Sequence, residues 1–170
     1  LQAISPLDRG FKATPAERKS VAEAIEALSR AASQTTIPDI SGDWELIYTD
    51  APDILALDAQ AGPFTICKRI GQQISEADSS IANVIEYEAR EWLPGRAAGD
   101  GLQQRVLLDY KVDDATGRKV TLSLKGLSLA PRQLAGVSLA AAPPHTLEGP
   151  LALPFGDFEC VYNDGDVRVV

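Results

Sequence analysis

The sequence predicts a mainly β protein, an antiparallel barrel preceded by an N-terminal amphipathic α-helix. Three observations carry this. A hydrophobic period of two recurs in short runs from Gly42 to the end of the chain. Turn-forming clusters separate those runs, with no helical segment between most of them. A helical period is confined to the first forty residues. Successive short strands at this spacing argue a meander that closes as a barrel or folds as a sandwich, and closure is favoured because it removes exposed edges. With 170 residues, one domain is expected. Residues 1–40 form a helical segment packed on the barrel, and residues 41–170 form the barrel itself.

The helix opens at Thr14-Pro15-Ala16-Glu17, which supplies a capping Thr, a proline at the first helical position and a glutamate where a capping box wants one. Val21, Ala24, Ile25, Leu28 and Ala32 then make one narrow apolar stripe. Thr35-Thr36-Ile37-Pro38 favours extended chain and ends it. Strand alternation follows in Trp44 to Tyr48, Phe64 to Ile70, Ile81 to Trp92, Leu102 to Val112, Arg118 to Leu129 and Phe158 to Val170. Turns are expected at Ala51-Pro52-Asp53, Leu93-Pro94-Gly95, Asp113 to Gly117 and Asn163 to Asp166. In Ile81 to Trp92 the pairs Val84/Glu86 and Ile85/Tyr87 compete for the inside.

Gly126 to Gly156 differs in composition, with Arg132 and Glu148 as its charged residues amid Leu, Ala, Gly and Pro. One reading is core strands joined by a stiff proline loop. The other is an apolar rim that touches lipid or a partner protein.

Composition narrows the partners. Lys and Arg number 16 against 24 Asp and Glu, a formal net charge of −8. That field opposes a nucleic-acid backbone or an anionic surface, so no nucleic acid is expected and only a local basic patch would serve. No run reaches about 18 apolar residues, which excludes a spanning helix. Leu1 to Gly10 lacks the positive start and apolar run of a secretory signal, and the absence of Met reads as a processed or trimmed product. Cys67, Cys160 and His145 are too few for a zinc site of Cys and His, and the two cysteines read as buried thiols.

Catalytic constellations are scarce. His145 sits in a proline-rich stretch expected to be surface loop, without a nucleophile signal, and no phosphate-binding glycine pattern occurs. Glu86 and Glu88, at i and i+2, read as a solvated sheet face rather than an acid–base pair. No catalytic residue, metal or cofactor is expected, and the chain reads as a non-enzyme.

What recurs instead is apolar bulk at strand period. Trp44, Leu46 and Tyr48, then Phe64 and Ile66, then Val106, Leu108 and Tyr110, then Val120, Leu122 and Leu124 point inward together if each strand keeps its alternation, and Tyr162 joins them. Such a lining either fills the barrel or leaves room for one hydrophobic ligand, with the hydroxyls of Tyr48 and Tyr110 placed to orient it.

Gly42-Asp43-Trp44-Glu45-Leu46-Ile47-Tyr48-Thr49 resembles the G-x-W-x-L-x-Y-T opening strand of the plastid lipid-associated proteins, or plastid fibrillins. Tyr162-Asn163-Asp164-Gly165-Asp166-Val167-Arg168-Val169 resembles that family's closing Y-x-D-x-D-[LM]-R-[IV]. Arg9-Gly10 with Ala13 and Glu17 is similar to its leading R-G-x-x-A segment, and Ala82-Asn83-Val84-Ile85 to its mid-chain strand. The motifs run in order along nearly the whole chain. The family pattern continues with a second arginine, a glycine-rich turn and a final apolar strand where this sequence stops at Val170, which leaves barrel closure open. Leu93 to Gly101 looks like a lineage-specific loop.

The resemblance implies a lipocalin-like β-barrel of chloroplasts, at plastoglobules, thylakoid membranes or stroma. It implies handling of a hydrophobic small molecule such as a prenylquinone or carotenoid, with possible peripheral membrane contact. One branch of the family instead supports a partner protein, a prenyl diphosphate synthase of plastoquinone synthesis. Docking on such an enzyme or on a thylakoid complex is the alternative function. In lipocalin-like barrels a first-strand tryptophan plugs the closed end and a last-strand arginine lies across its ring. Trp44 and Arg168 suit that closure.

Overall fold

A computed structural model describes residues 4–31, 39–57, 61–112 and 118–170. Helix α1 spans Pro15–Ala31 and is capped as its sequence requires. Glu17 Oε2 accepts from the Thr14 backbone N–H at 2.8 Å and its hydroxyl at 2.7 Å, while the Glu17 N–H donates to Thr14 Oγ1 at 3.3 Å. Of the apolar stripe Val21 is buried, Ile25 and Leu28 are half-buried and Ala24 is exposed; Ala32 and the Thr35 to Pro38 segment lie outside the described residues.

Among the described residues nine strands follow: β1 (Gly42–Glu45), β2 (Thr65–Ser75), β3 (Ser80–Ala89), β4 (Gly101–Val112), β5 (Lys119–Leu134), β6 (Val137–Ser138), β7 (His145–Glu159), β8 (Tyr162–Asn163) and β9 (Arg168–Val169). The first seven form one antiparallel sheet. β1 to β5 lie in sequence order, and the far edge of β5 is shared by β7 and, at its end, by β6. β8 and β9 make a separate hairpin. The protein is mainly β with a lipocalin-like curl, and the sheet is a half-barrel: β1 and β7 are not paired, so complete closure is not reached.

The hairpin lies across the gap that β1 and β7 leave. The Asn163 side-chain amide donates to the Asp39 carbonyl at 3.1 Å, and the Cys160 N–H to the Arg118 carbonyl at 3.0 Å. Its turn is built by Asp164, whose Oδ1 accepts from the N–H groups of Asp166 at 3.0 Å and Val167 at 2.7 Å.

Three expected elements differ. Ala51-Pro52-Asp53 is not a plain turn but the start of a short helix, α2 (Pro52–Leu55), because the proline ring fixes a helical φ at its first position. Phe158 to Val170 is not one strand: β7 ends at Glu159, and Asp164 and Gly165 fold the remainder back on itself. His145 belongs to β7, opposite Leu129, rather than to a loop, and it is exposed. The Asp113 to Gly117 turn lies outside the described residues.

Register decides which side chains face in. Ile74, Ile81, Leu108 and Leu124 form one inner row across β2 to β5. Below it Ile40, Tyr110, Val120, Leu122 and Cys160 complete a packed cluster, against which Trp44, Val106 and Phe158 rest. On the outer face long polar chains lie over the sheet: Arg69 pairs with Asp43 and Glu86, Arg132 with Glu86, and Arg105 donates to Gln73 at 2.6 Å. Val84 is fully buried on that outer face, and Ile85 and Tyr87 take the inside.

Candidate functional site

Two bulges shift the alternation, and together they shape the inner face. In β2 the register slips between Cys67 and Arg69, so Cys67 and Ile70, three residues apart, both face in. Ile66, paired with Glu88, therefore faces out, which corrects its expected inward placement. Arg9 caps this bulge, donating to the carbonyls of Cys67 and Lys68, each at 3.0 Å. Asp8, Arg9 and Gly10 are all left-handed, with φ of 48°, 59° and 99°, which turns the chain so that Arg9 also bridges Tyr48. A Cβ at Gly10 would sit 2.0 Å from the Thr49 carbonyl oxygen, so the Arg-Gly pair has a backbone reason.

In β5 the slip falls at Lys125. Leu124 faces in with the even-numbered residues before it, and Leu127 and Leu129 face in after it. At Gly126 a Cβ would meet the Leu147 carbonyl oxygen at 2.6 Å, so glycine lets β7 approach there.

The inner face consequently has two halves. The closed half is solid: Leu108 and Ile81 are 1% exposed and Val120 is 2% exposed. Arg168 seals it, its guanidinium 4.9 Å from the Trp44 ring and 5.9 Å from the Phe158 ring. Trp44 Nε1 donates to the Ile40 carbonyl at 2.8 Å. Arg168 has no carboxylate partner among the described residues; it donates to Gln72 Oε1, and Gln72 donates in turn to Asn83 Oδ1 at 2.9 Å. Burial draws the Arg168 pKa below the ordinary guanidinium value, with Cys160 opposing, and its Nη1 is buried without a hydrogen-bond partner among the described residues.

The open half starts at that polar rung. On β2 and β3 it is roofed: Phe11, Leu46, Ile54 and Leu57 pack on Cys67, Ile70, Ile85 and Tyr87. On β4, β5 and β7 none of the described residues roofs it. Val106, Leu127 and Leu147 form one row, Gln104, Leu129 and His145 the next, and Leu102 with Pro131 the last. Leu102, Leu127, Leu129 and Leu147 are 38%, 36%, 42% and 74% exposed. The result is an apolar trough with an amide and guanidinium rung at its inner end.

The residues singled out from sequence thus divide. Val106 borders the trough. Leu108, Tyr110, Leu122 and Leu124 belong to the packed core or line it, and Trp44 to its seal. Leu46 is under the roof. The Tyr48 hydroxyl is buried with no partner among the described residues. Phe64 is 56% exposed at the strand ends, and the Tyr162 hydroxyl donates to Asp164 at 2.8 Å, tied to the hairpin turn. Alternation alone does not place Leu127, Leu129, Leu147, Gln72 and Asn83 at the trough, because the Lys125 bulge moves the inward parity of β5 and the partners of the rung are far apart in sequence.

The other candidates for chemistry are engaged elsewhere. Glu86 is held by Arg69 and Arg132, and Glu88 by Lys68 at 3.4 Å, all on the outer face. Cys67 and Cys160 are buried and not disulfide bonded, and burial pushes the Cys160 thiol up. The described residues contain no cluster of three or more His, Cys, Asp or Glu placed to hold a metal, and no helix long and apolar enough to cross a membrane. A surface depression of about 530 Å³ includes Gln73, Ala82, Arg105 and Leu107 of the outer face in its lining and is distinct from the trough.

The family model PAP_fibrillin matches residues 1–170. No curated protein and no solved structure matches the chain.

Proposed function

Because the chain belongs to the PAP_fibrillin family of plastid lipid-associated proteins, we propose that the open half of its curl is a non-enzymatic binding trough for one lipophilic molecule, a prenylquinone, a carotenoid or another lipid. The exposed inner-face leucines carry this reading. The face that elsewhere makes the core presents Leu102, Leu127, Leu129 and Leu147 to solvent, and each Å² of such surface covered by a ligand contributes about 25 cal/mol.

The rung supplies orientation. Gln72, Asn83 and Arg168 place amide and guanidinium groups where the apolar rows begin, so a carbonyl or headgroup oxygen would lie there with the chain running over Leu127 and Leu129. The family and the apolar trough support a plastid role in holding such molecules at plastoglobules, thylakoids or in the stroma. The ion-paired state of Glu86 and Glu88 supports handling rather than turnover.

Organic extraction and mass spectrometry of gently purified protein test the proposal. We expect a stoichiometric lipophile in the native chain and its loss in Leu127→Asp, with the melting transition kept because Leu127 is already open to solvent. Equal loading in both proteins would refute the trough as the site.

A further inference from the structure

The rung at the inner end of the trough holds a charge that the described residues leave uncompensated. Arg69, Arg118 and Arg132 each pair with a carboxylate. Around Arg168 there is none: Trp44 and Phe158 offer ring faces, Gln72 a neutral carbonyl, and Cys160 a thiol that burial pushes up and so keeps protonated. Nη1 of the same guanidinium is buried without a hydrogen-bond partner among the described residues. A cation taken out of water without a counter-charge is costly, and a guanidinium does not shed its proton to escape that cost.

The rung also runs in one direction. A guanidinium only donates, so Gln72 turns its Oε1 to Arg168, and this aims the Gln72 amide nitrogen at Asn83 Oδ1, 2.9 Å away. Both side-chain carbonyls are thereby engaged, and what the rung has left to offer is N–H groups, on Arg168 Nη1 and on the Asn83 amide. Asn83 is paired with Val106 and Val106 with Leu127, so these donors stand where the apolar rows start. From Val106 to Leu102 is four residues along β4, about 13 Å of open apolar face.

A head that only accepts hydrogen bonds and carries a single negative charge completes such a site. A hydroxyl accepts but brings a donor for which no acceptor waits. An ester or quinone carbonyl satisfies the bonds and leaves the charge unbalanced. A phosphate or diphosphate brings more negative charge than one guanidinium balances, into a chain whose net charge is already −8. A carboxylate meets both requirements.

We infer that the molecule this trough takes is an acidic lipophile, a long-chain carboxylic acid whose carboxylate meets Arg168 and Asn83 while its chain lies over Val106, Leu127 and Leu129. The inference rests on the trough being the binding site, and it narrows the lipophiles held there to those that end in a carboxylate. Arg168 reaches the head by turning about its own side-chain torsions, which brings Nη1 onto a carboxylate oxygen.

Dodecanoic acid, methyl dodecanoate and dodecanol share one chain and differ in the head, so their displacement of a fluorescent lipophile from the protein at neutral pH tests the charge alone. The acid should bind about tenfold or more tightly than the ester and the alcohol, and more tightly than the neutral decylplastoquinone. The ratio of acid to ester affinity, taken within each variant, should fall to near one in Arg168→Met and stay near its original value in Arg168→Lys, which keeps the charge. In the unaltered protein, isotope-edited infrared spectra of bound carboxyl-13C dodecanoic acid should show the bands of an ionised carboxylate and no acid carbonyl band. Equal binding of acid and ester, decylplastoquinone binding as tightly as the acid, an acid preference that survives in Arg168→Met, or a protonated bound head would each overturn the inference while leaving the trough as the site. Uptake of all the probes undiminished in Leu127→Asp would refute the trough and the inference with it.

Discussion

The two halves of the inner face are made by the same strands from the same kinds of residue, yet Leu108 on β4 is 1% exposed while Leu102, six residues earlier on the same face, is 38% exposed. What differs is the cover. The closed half receives Ile40, Trp44, Phe158, Cys160 and the β8–β9 hairpin, whereas the open half is roofed only over β2 and β3. The inner face is thus core at one end and unfinished core at the other. An unfinished core is costly unless something apolar completes it, and this contrast is what favours the proposed ligand trough over ordinary barrel filling.

The same substitution made in each half tests the contrast most directly. Leu108→Ala should cost about 2–5 kcal/mol, because it removes contacts on all sides and leaves a cavity. Leu129→Ala, at a side chain 42% exposed, should cost below about 0.5 kcal/mol. Chemical denaturation of the two variants measures both; equal losses would mean the halves are packed alike.

A smaller effect is expected at the seal. Arg168→Ala removes the contacts to Trp44 and Phe158 and the bond to Gln72, and should cost about 1–2 kcal/mol. Thermal unfolding unchanged by this variant, with ligand uptake lost, would remove Arg168 from closure and leave the proposed ligand contact as its role.

The smallest effect concerns Asp100 at the open end, a buried carboxylate that accepts from the N–H groups of Ala97 at 2.8 Å, Ala135 at 2.9 Å and Gly136 at 2.9 Å. Backbone N–H donors, Gly136 foremost, hold its pKa below the ordinary carboxylate value. A lowered folded pKa stabilises the fold above the unfolded value and ceases to do so as pH falls through the folded one. The contribution should therefore be whole at neutral pH and decline below about pH 4. An Asp100→Asn variant should lose that part of the acid dependence in a pH series of melting temperatures.

Much of this was legible in the chain. The capping box of α1 needed only Thr14, Pro15 and Glu17 within one turn, and the hairpin needed only Asp164 beside Gly165, because such contacts span three or four residues. The inward direction of Val120, Leu122 and Leu124 also followed from alternation. Ile66 and Leu127 did not, since one extra residue in a strand reverses every side chain beyond it and neither Lys68 nor Lys125 announces a bulge.

The sequence by itself determined that this is a mainly β chain of the plastid lipid-associated type, with Trp44 and Arg168 in position to close an end. Local hydrogen bonding and period-two burial are properties of neighbouring residues, and the family's motifs are short runs of them. Only the tertiary structure decided that the barrel is half open, that the exposed part of its inner face carries Leu102, Leu127, Leu129 and Leu147, and that Gln72, Asn83 and Arg168 meet at its inner end. Those outcomes depend on register between strands and on which distant segments cover which rows, and a linear pattern of apolar residues does not distinguish a covered row from a bare one.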